Sequence, residues 1–348
     1  MEKRLKYKYL LPIGICLTIV IGLTCFYFFS AFSKAGETCY IYIDNDDNID
    51  SVFAKLRPYG KSHSMSGFTT LARHSSYTDH IKIGRYAIEP GTSTLTLFRN
   101  LKNGNQTPVR MTIPSVRTMD KLAVAVSKKL MLDSATIYNA LRDSATCASL
   151  GYDTATIAAM FIPETYDIYW NITLKSFLER MKKENKRFWN DWRLAKAREL
   201  KLTPIQVATL ASIVDEETAN EVEKPTIAGL YLNRLNMRSE AYPYGMPLQA
   251  DPTVKFALGQ FAIKRIYERM LKTESPYNTY IHPGLPPGPI RIPSISGIDA
   301  VLNHDHHNYI YMCAKEDFSG THNFAATFSE HQVNARKYAE ALNKRGIK

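Results

Sequence analysis

The chain has 348 residues, enough for about two or three domains of ordinary size. Hydrophobic residues make up 45% of it and charged residues 22%, a composition that excludes an intrinsically disordered protein. The formal net charge of +11 would suit nucleic acid, an anionic membrane surface or an acidic polymer as a partner. Because no Lys/Arg-rich run is interleaved with aromatic residues, we expect no nucleic-acid partner.

An uncharged stretch near the N-terminus, residues 10–32, predicts a membrane span, because about 20 apolar residues cross a bilayer as a helix. Basic residues precede it, which favours a cytoplasmic N-terminus; they are Lys3, Arg4, Lys6 and Lys8. We predict that residues 1–35 hold a single-pass inner-membrane anchor and that the rest of the chain lies on the periplasmic or extracytoplasmic side. A signal peptide cleaved near residues 33–35 and a lipidated Cys25 are the alternatives.

The region after this stretch, residues 36–107, is predicted to form a small mixed α/β unit. Aromatic and β-branched residues indicate its strands, and turn residues indicate where its helices end. In chain order we predict a strand at 37–44, a helix at 49–60, a strand at 83–88, a helix from Thr94 to Gly104 and a strand at 108–114.

Residues 108–198 are predicted to be a mainly helical connecting region. Amphipathic patterns indicate helices at 119–132 and 133–143. The segment 161–170 interrupts this pattern with a proline and clustered aromatic residues. Residues 176–200 are long and highly charged, which is typical of a helix with a solvated face.

Residues 199–348 are predicted to be a mixed α+β domain. Thr203 is the expected N-cap of its first helix and Pro204 the first helical residue. The other predicted elements are a helix at 224–236, loops at 246–254, 275–294 and 320–331, a strand at 308–314 and a surface helix at 330–345.

Three consecutive acids, Asp215, Glu216 and Glu217, end the helix that begins at Thr203. At about 100° per residue, Glu217 falls within the apolar stripe of this helix. The other members of that stripe are Val207, Leu210, Ile213 and Val214. Glu216 falls on a polar face with Thr209 and Ser212, and Asp215 on an intermediate one, so we expect both acids to solvate the helix end.

A carboxyl group aimed at an apolar surface has a raised pKa, as a general acid for glycosidic bond cleavage requires. This makes Glu217 the candidate catalytic residue. The alternatives are that Glu217 pairs with a buried arginine or turns out to solvent. The clustered histidines at 304–307 lack metal-ligand spacing, and no cysteines form a C-x-x-C pair. We therefore expect no metal and no cofactor.

The C-terminal half resembles the endolytic murein transglycosylase family, the YceG-like proteins. The matching segments, in the family's order, are ASIVDEETA, AGLYLNRL, MPLQADPTV, YNTYIHPGLPPGPI, GTHNF and HQVNARKY. The family's E-x-E-T pattern corresponds to Asp215-Glu216-Glu217-Thr218. The family's catalytic glutamate is the second acid of that pattern, which corresponds to Glu217.

The resemblance implies a single-span membrane protein with a LysM-like subdomain at 36–107 and a catalytic domain at 199–348. It implies a lytic transglycosylase that cuts the MurNAc–GlcNAc bond inside nascent peptidoglycan strands and leaves 1,6-anhydroMurNAc ends. Peptidoglycan synthases are the implied protein partners. The substrate-binding candidates at family motif positions are Asn233, Arg234, Gln249, Asp251, Tyr277, Asn278 and His322.

Two other functions are open from the sequence. One is a membrane-anchored muramidase that uses Asp215 or Asp251 as a second carboxylate to activate water. The other is a non-catalytic scaffold that binds cell wall.

Overall fold

The computed structural model describes residues 2–263 and 265–346, which form two compact units. The first unit comprises the chain up to Met111, Lys129–Met131 and Tyr166–Ile172; the second comprises Thr112–Lys128, Leu132–Thr165 and the chain from Thr173 onward. The predicted α+β class is confirmed, with one apolar N-terminal helix. The predicted boundaries at residues 36, 108 and 199, and the LysM-like character of 36–107, stay predictions.

The N-terminal helix α1, Glu2–Thr24, continues into a π-helical turn at Cys25–Phe29. The segment Leu10–Phe29 has a mean hydropathy of 2.2, and none of its most apolar stretch is buried. A helix that is apolar all round and exposed over this stretch is typical of a segment in a non-aqueous surrounding. Its length and composition fit a membrane anchor or a signal sequence.

The two strands predicted at 37–44 and 83–88 are present and form an antiparallel pair in the first unit. Cys39–Ile43 (β1) pairs with Gly84–Ile88 (β2), so that Ile41 lies opposite Tyr86. Alternate residues of both strands point into the core. The helices of this unit are α2 (Ile49–Leu56), α3 (Ser62–Arg73) and α4 (Thr94–Asn103), with a 3₁₀ turn at Ser76–Asp79. Gly104 ends α4 in the left-handed region at φ 74°, also as predicted.

Helix α3 was not predicted, because its sequence is rich in serine and threonine, which are weak helix formers. Its small residues are explained by packing. A Cβ added at Gly67 would lie 2.3 Å from the main-chain oxygen of Tyr27, so the chain at the end of the apolar segment touches the backbone of α3.

The predicted strand at 108–114 is present as β3, Val109–Thr112. It pairs with β4, Thr165–Ile168, which lies inside the segment predicted only to interrupt the helical pattern.

The second unit is mainly helical. Its elements are α5 (Met119–Ser127), α6 (Ser134–Ala140), α7 (Ser144–Leu150), a 3₁₀ turn (Ile157–Met160), α8 (Leu174–Phe188), α9 (Asp191–Glu199), α10 (Pro204–Glu217), α11 (Lys224–Asn236), α12 (Asp251–Leu258), α13 (Glu268–Leu271), α14 (Ile295–Leu302), β5 (Tyr311–Ala314), β6 (His322–Ala325) and α15 (Phe328–Lys344).

Three predictions for this unit were partly wrong. The charged segment 176–200 is divided between α8 and α9, because Trp189 turns into the core between them. The predicted loop at 246–254 gives way to α12 at Asp251. The predicted loop at 320–331 contains β6 and the first turn of α15.

Helix α10 is the centre of the second unit's core and positions the site. Its start is as predicted: the Thr203 side chain accepts from the Gln206 main chain, and Gln206 accepts in return from the Thr203 main chain. The predicted polar face is wrong, since Thr209 and Ser212 are 2% and 0% exposed. The Ser212 hydroxyl instead accepts the Ile290 N–H at 3.0 Å. Helices α9, α11, α12 and α14 pack against α10. This packing holds the last turn of α10, which ends at Glu217, in place.

Candidate active site

Asp215 does not solvate the end of α10, because its side chain is only 3% exposed. Its Oδ1 lies 2.8 Å from the ammonium of Lys224, which is 5% exposed. Ser294 donates to the same carboxylate from its main-chain nitrogen at 2.6 Å and from its hydroxyl at 2.7 Å. Ser294 is the N-cap of α14, where the helix dipole favours a negative charge. Asp215 therefore joins α10 to α11 and α14.

Glu216 is also a structural ion-pair partner, so the expectation of a solvated side chain was wrong here too. It is 10% exposed, and its Oε1 accepts from Arg117 Nε at 2.7 Å and from Arg291 Nη1 at 3.0 Å. Arg291 also donates to the main-chain oxygen of Ser115 at 2.9 Å. Glu216 thus ties two distant segments of the chain to α10.

Glu217 is the last residue of α10 and the only one of the three acids that faces a pocket. Thr218 is extended, with φ −143° and ψ 140°, so the helix stops directly after Glu217. The Tyr231 hydroxyl donates to Glu217 Oε1 at 2.6 Å. As its position on the helix indicated, the Glu217 side chain lies in a different environment from those of Asp215 and Glu216.

The pocket has a volume of about 210 Å³. Its lining comes from the end of α10, from α11, from the loops before α12 and α14, and from β5 and β6. The lining residues are Glu217, Leu230, Tyr231, Arg234, Gln249, Asp251, Tyr280, Met312, Cys313, Ala314 and His322. Pockets that enclose whole drug-sized molecules are larger, roughly 300–1,000 Å³. This one suits the few atoms around one bond of a long polymer.

Burial raises the pKa of Glu217 to about 7 from an ordinary value of 4.5. The hydrogen bond from Tyr231 opposes that rise, the negative charge of Asp251 adds to it, and His322 and Arg234 oppose it. The C-terminal end of a helix also disfavours a further negative charge. About half of the Glu217 carboxyl groups are therefore protonated near neutral pH, as a proton donor requires.

Four of the seven predicted substrate-binding residues lie in the pocket with Glu217: Arg234, Gln249, Asp251 and His322. Gln249 has a positive φ of 49°, an uncommon conformation for a residue with a side chain. Its main-chain N–H is held by the Thr279 carbonyl at 3.1 Å.

The other three predicted residues, Asn233, Tyr277 and Asn278, are not among the pocket residues. Asn233 donates to the main-chain oxygens of His307 and Tyr309. Asn278 is 0% exposed and donates to the main-chain oxygens of Leu271, at the end of α13, and Thr273. Tyr277 packs against Phe256 at the edge of the core. All three brace the pocket loops, and contact with substrate stays a prediction for them.

Sequence reasoning missed Tyr231 and Tyr280, whose hydroxyls donate to Glu217 and Asp251, each at 2.6 Å. A signal existed for Tyr231, because it precedes Arg234 by three residues and so shares its helical face. It also missed Glu223, which accepts from the His322 ring at 3.0 Å and for which no local pattern exists. In the described part of the chain no cluster of three His, Cys, Asp or Glu residues suits a metal ion.

A pocket with one protonated carboxyl, flanked by tyrosines and an arginine, can donate a proton to a bound ether oxygen and take one back from a hydroxyl.

The chain is similar to several known proteins. The model of the YceG-like family matches residues 41–337. The chain is 31% identical over 173 residues to the endolytic murein transglycosylase of Bacillus subtilis (strain 168), covering 50% of this chain and 45% of that protein. It is 25% identical over 329 residues to the endolytic murein transglycosylase of Streptococcus pneumoniae serotype 2 (strain D39), covering 86% and 58%. The chain thus spans about half the length of the curated relatives it matches.

A crystal structure of a YceG-like protein from Listeria monocytogenes is similar in fold. The TM-score is 0.55 at 25% sequence identity, and the match covers 86% of this chain and 99% of that one.

Proposed function

Because the chain belongs to the YceG-like family, as its motifs predicted, we propose that it is a lytic transglycosylase that cuts peptidoglycan strands internally. The observation that carries this proposal is Glu217 itself: a carboxyl with a pKa of about 7, at the end of a rigid buried helix, inside a pocket. The relatives named endolytic murein transglycosylase support the same substrate class.

In the proposed reaction, protonated Glu217 donates its proton to the glycosidic oxygen between MurNAc and GlcNAc, and the C1–O bond of MurNAc breaks. The Glu217 carboxylate then takes the proton from the C6 hydroxyl of the same MurNAc, whose oxygen bonds to C1. The reaction consumes no water, and Glu217 is again protonated at its end. Intramolecular attack has a high effective concentration, so no second carboxylate is needed to activate water.

Asp251 favours a second candidate function, hydrolysis by a muramidase mechanism, because it lines the same pocket. Hydrolases set two carboxyl groups across the scissile bond. One Asp251 oxygen accepts from Tyr280, and the other could hold a water. Asp215 is a poor candidate for this role, since Lys224 and Ser294 occupy its carboxylate away from the pocket.

Product analysis on purified, uncrosslinked glycan strands tests the proposal. We expect fragments of mixed length that end in 1,6-anhydroMurNAc, one water lighter than reducing ends by mass spectrometry. Reducing MurNAc ends that carry label from heavy-oxygen water would establish the hydrolase instead. Absence of any cleavage by a folded protein would support the scaffold.

The proposal includes retention of the apolar N-terminal segment as a membrane anchor. Phe32, three residues after that segment, is 0% exposed in the core of the first unit. Its main-chain N–H donates to Thr92 at 2.8 Å, and its carbonyl accepts from Lys61 at 3.0 Å. Cleavage near residues 33–35 would remove this side chain, and losing a buried phenylalanine costs roughly 3–5 kcal/mol.

Intact mass measurement of the protein from purified membranes tests retention, with full-length chain as the expected result. A chain that starts near residue 35 would overturn it. A reporter fused at the C-terminus that is active only outside the cytoplasm would support the proposed orientation.

We further propose that the first unit helps to hold the glycan. The outward face of β1 carries Tyr40 and Tyr42, 39% and 41% exposed, and the Arg85 guanidinium stacks on Tyr40 at 3.6 Å. Flat aromatic faces beside polar groups suit saccharides. Tyr42→Ala should weaken sedimentation with isolated peptidoglycan, whereas Tyr267→Ala, at an exposed tyrosine of the second unit, should not. Equal binding by both variants would remove this role.

A further inference from the structure

Glu223 and His322 form a buried pair at the edge of the pocket. Glu223 directly precedes α11, and the two side chains are 8% and 16% exposed. Glu223 Oε1 accepts the main-chain N–H of His322 at 2.7 Å, and Oε2 contacts the ring nitrogen Nδ1 at 3.0 Å. One carboxylate therefore holds both the backbone and the ring of His322, which leaves the ring a single orientation.

This contact determines which ring nitrogen carries the proton. An ionised carboxylate can only accept, so Nδ1 must donate, and in the neutral ring Nε2 then has a free lone pair. Within the described residues, 2–263 and 265–346, His322 Nε2 has no hydrogen-bond partner. His322 itself lines the pocket beside Glu217.

Several other polar groups of the pocket are already engaged in hydrogen bonds. The Arg234 guanidinium only donates, and it already binds the carbonyls of Ile310 and Leu248. Glu217 Oε1 accepts from Tyr231, and Asp251 Oδ1 accepts from Tyr280. His322 Nε2, held as an acceptor, would add a site that can accept a hydrogen bond from a hydroxyl-rich ligand.

We propose that Glu223 is a positioning residue, which holds His322 with Nε2 as the acceptor for a hydroxyl or acetamido N–H of the bound glycan. The identity of that ligand rests on the proposed function, whereas the state of the His322 ring does not. Glu223 touches no reacting atom, and its effect passes entirely through His322.

Glu223→Gln is a sharp test because it preserves shape and reverses the hydrogen bond. The glutamine oxygen can still accept the His322 main-chain N–H, but its amide group then faces Nδ1. Nδ1 must accept, the proton moves to Nε2, and the acceptor becomes a donor. Exchanging a carboxylate for an amide beside a functional histidine is known to select the wrong tautomer with the geometry intact. Glu223→Asp retains the carboxylate and serves as the conservative variant.

The first measurement is nitrogen-15 NMR of the full-length protein in detergent, with labelled histidine and His322 assigned by its loss in His322→Asn. We expect the proton on Nδ1 in the wild type and on Nε2 in Glu223→Gln. A proton on Nε2 of His322 in the wild type would overturn the proposal. The wild-type spectrum alone therefore tests it, even if Glu223→Gln does not fold.

The second measurement is glycan-strand affinity in a Glu217→Gln background, where no cleavage occurs. Glu223→Gln should weaken binding about tenfold, the effect of one lost hydrogen bond, and Glu223→Asp should restore most of it. Glu240→Gln is the matched control, since that acid is exposed and lies outside the pocket lining. If Glu223→Gln moves the His322 proton to Nε2 but binds glycan strands as tightly as its parent, the proposal is refuted. Because binding and tautomer are measured without turnover, a failure of the transglycosylase mechanism is separately visible.

Discussion

The Tyr231 hydroxyl lies 2.6 Å from Oε1 of Glu217, and this hydrogen bond opposes the burial that raises the pKa of the same carboxyl. The two residues come from successive helices, α10 and α11, so helix packing sets their separation. The acidity of Glu217 is thus a balance between an apolar environment, which favours the protonated donor, and one hydroxyl, which favours the carboxylate that must form after donation.

Tyr231→Phe should shift this balance toward the protonated acid. Loss of the hydrogen bond should raise the pKa of Glu217 by about one unit, since bonds to charged groups contribute roughly 1.5–3 kcal/mol. The alkaline limb of the pH dependence of kcat/KM should move upward by the same amount. Tyr280→Phe, which loses a bond to Asp251 instead, is the control and should move it less. An unshifted limb in Tyr231→Phe would show that this hydroxyl does not tune the acid.

Proton donation by Glu217 should limit the pH profile on its alkaline side. Above the Glu217 pKa of about 7, kcat/KM should fall about tenfold per pH unit, because only the protonated acid can donate. Toward acid pH the proposed proton transfer itself should add no limb, since it starts from the protonated acid and uses no second carboxylate as a base. A second limb at acid pH that disappears in Asp251→Asn would instead show a base that activates water, as in a muramidase.

Glu217→Gln should abolish cleavage and also change stability in a pH-dependent way. The folded-state pKa of about 7 exceeds the ordinary 4.5, so the wild type loses stability as pH rises from about 4.5 through 7. The glutamine variant has no such charge to bury. At pH 8 it should be more stable by about 2 kcal/mol, a value reduced for the open side of the pocket, and near pH 4 the two should be equal. Urea unfolding at both pH values measures the difference, with Glu240→Gln, at an exposed glutamate of the same unit, as control. Equal stability at pH 8 would mean that the Glu217 charge is well solvated.

Asp215→Asn should be destabilising, because it leaves the buried ammonium of Lys224 beside a neutral amide, with the 61% exposed Glu221 as its remaining charged partner. Breaking a buried ion pair from one side typically costs about 3–5 kcal/mol. Denaturant unfolding should show this loss, while the protein that remains folded should keep its cleavage rate per molecule. A variant as stable as the wild type but unable to cleave would place Asp215 in the chemistry and favour the hydrolase.

The sequence by itself determined the features that depend on neighbouring residues. Thr203 and Pro204 specified where α10 begins, Gly104 specified where α4 ends, and aromatic and β-branched residues indicated the strands β1 and β2. The motif around Glu217 identified the family. The helical period also indicated that Glu217 leaves α10 in a different direction from Glu216, since that direction follows from geometry within a single helix.

Only the tertiary structure decided which residues surround each of these side chains. Asp215 and Glu216 are nearly buried and do not line the pocket, because Ser294, Lys224 and the arginines at 117 and 291 reach them from other segments. The contacts of Tyr231 with Glu217 and of Glu223 with His322 also join different elements, so local sequence patterns did not predict them. A helical period gives the angle of a side chain but not its surroundings, and the pKa of a carboxyl depends on those surroundings.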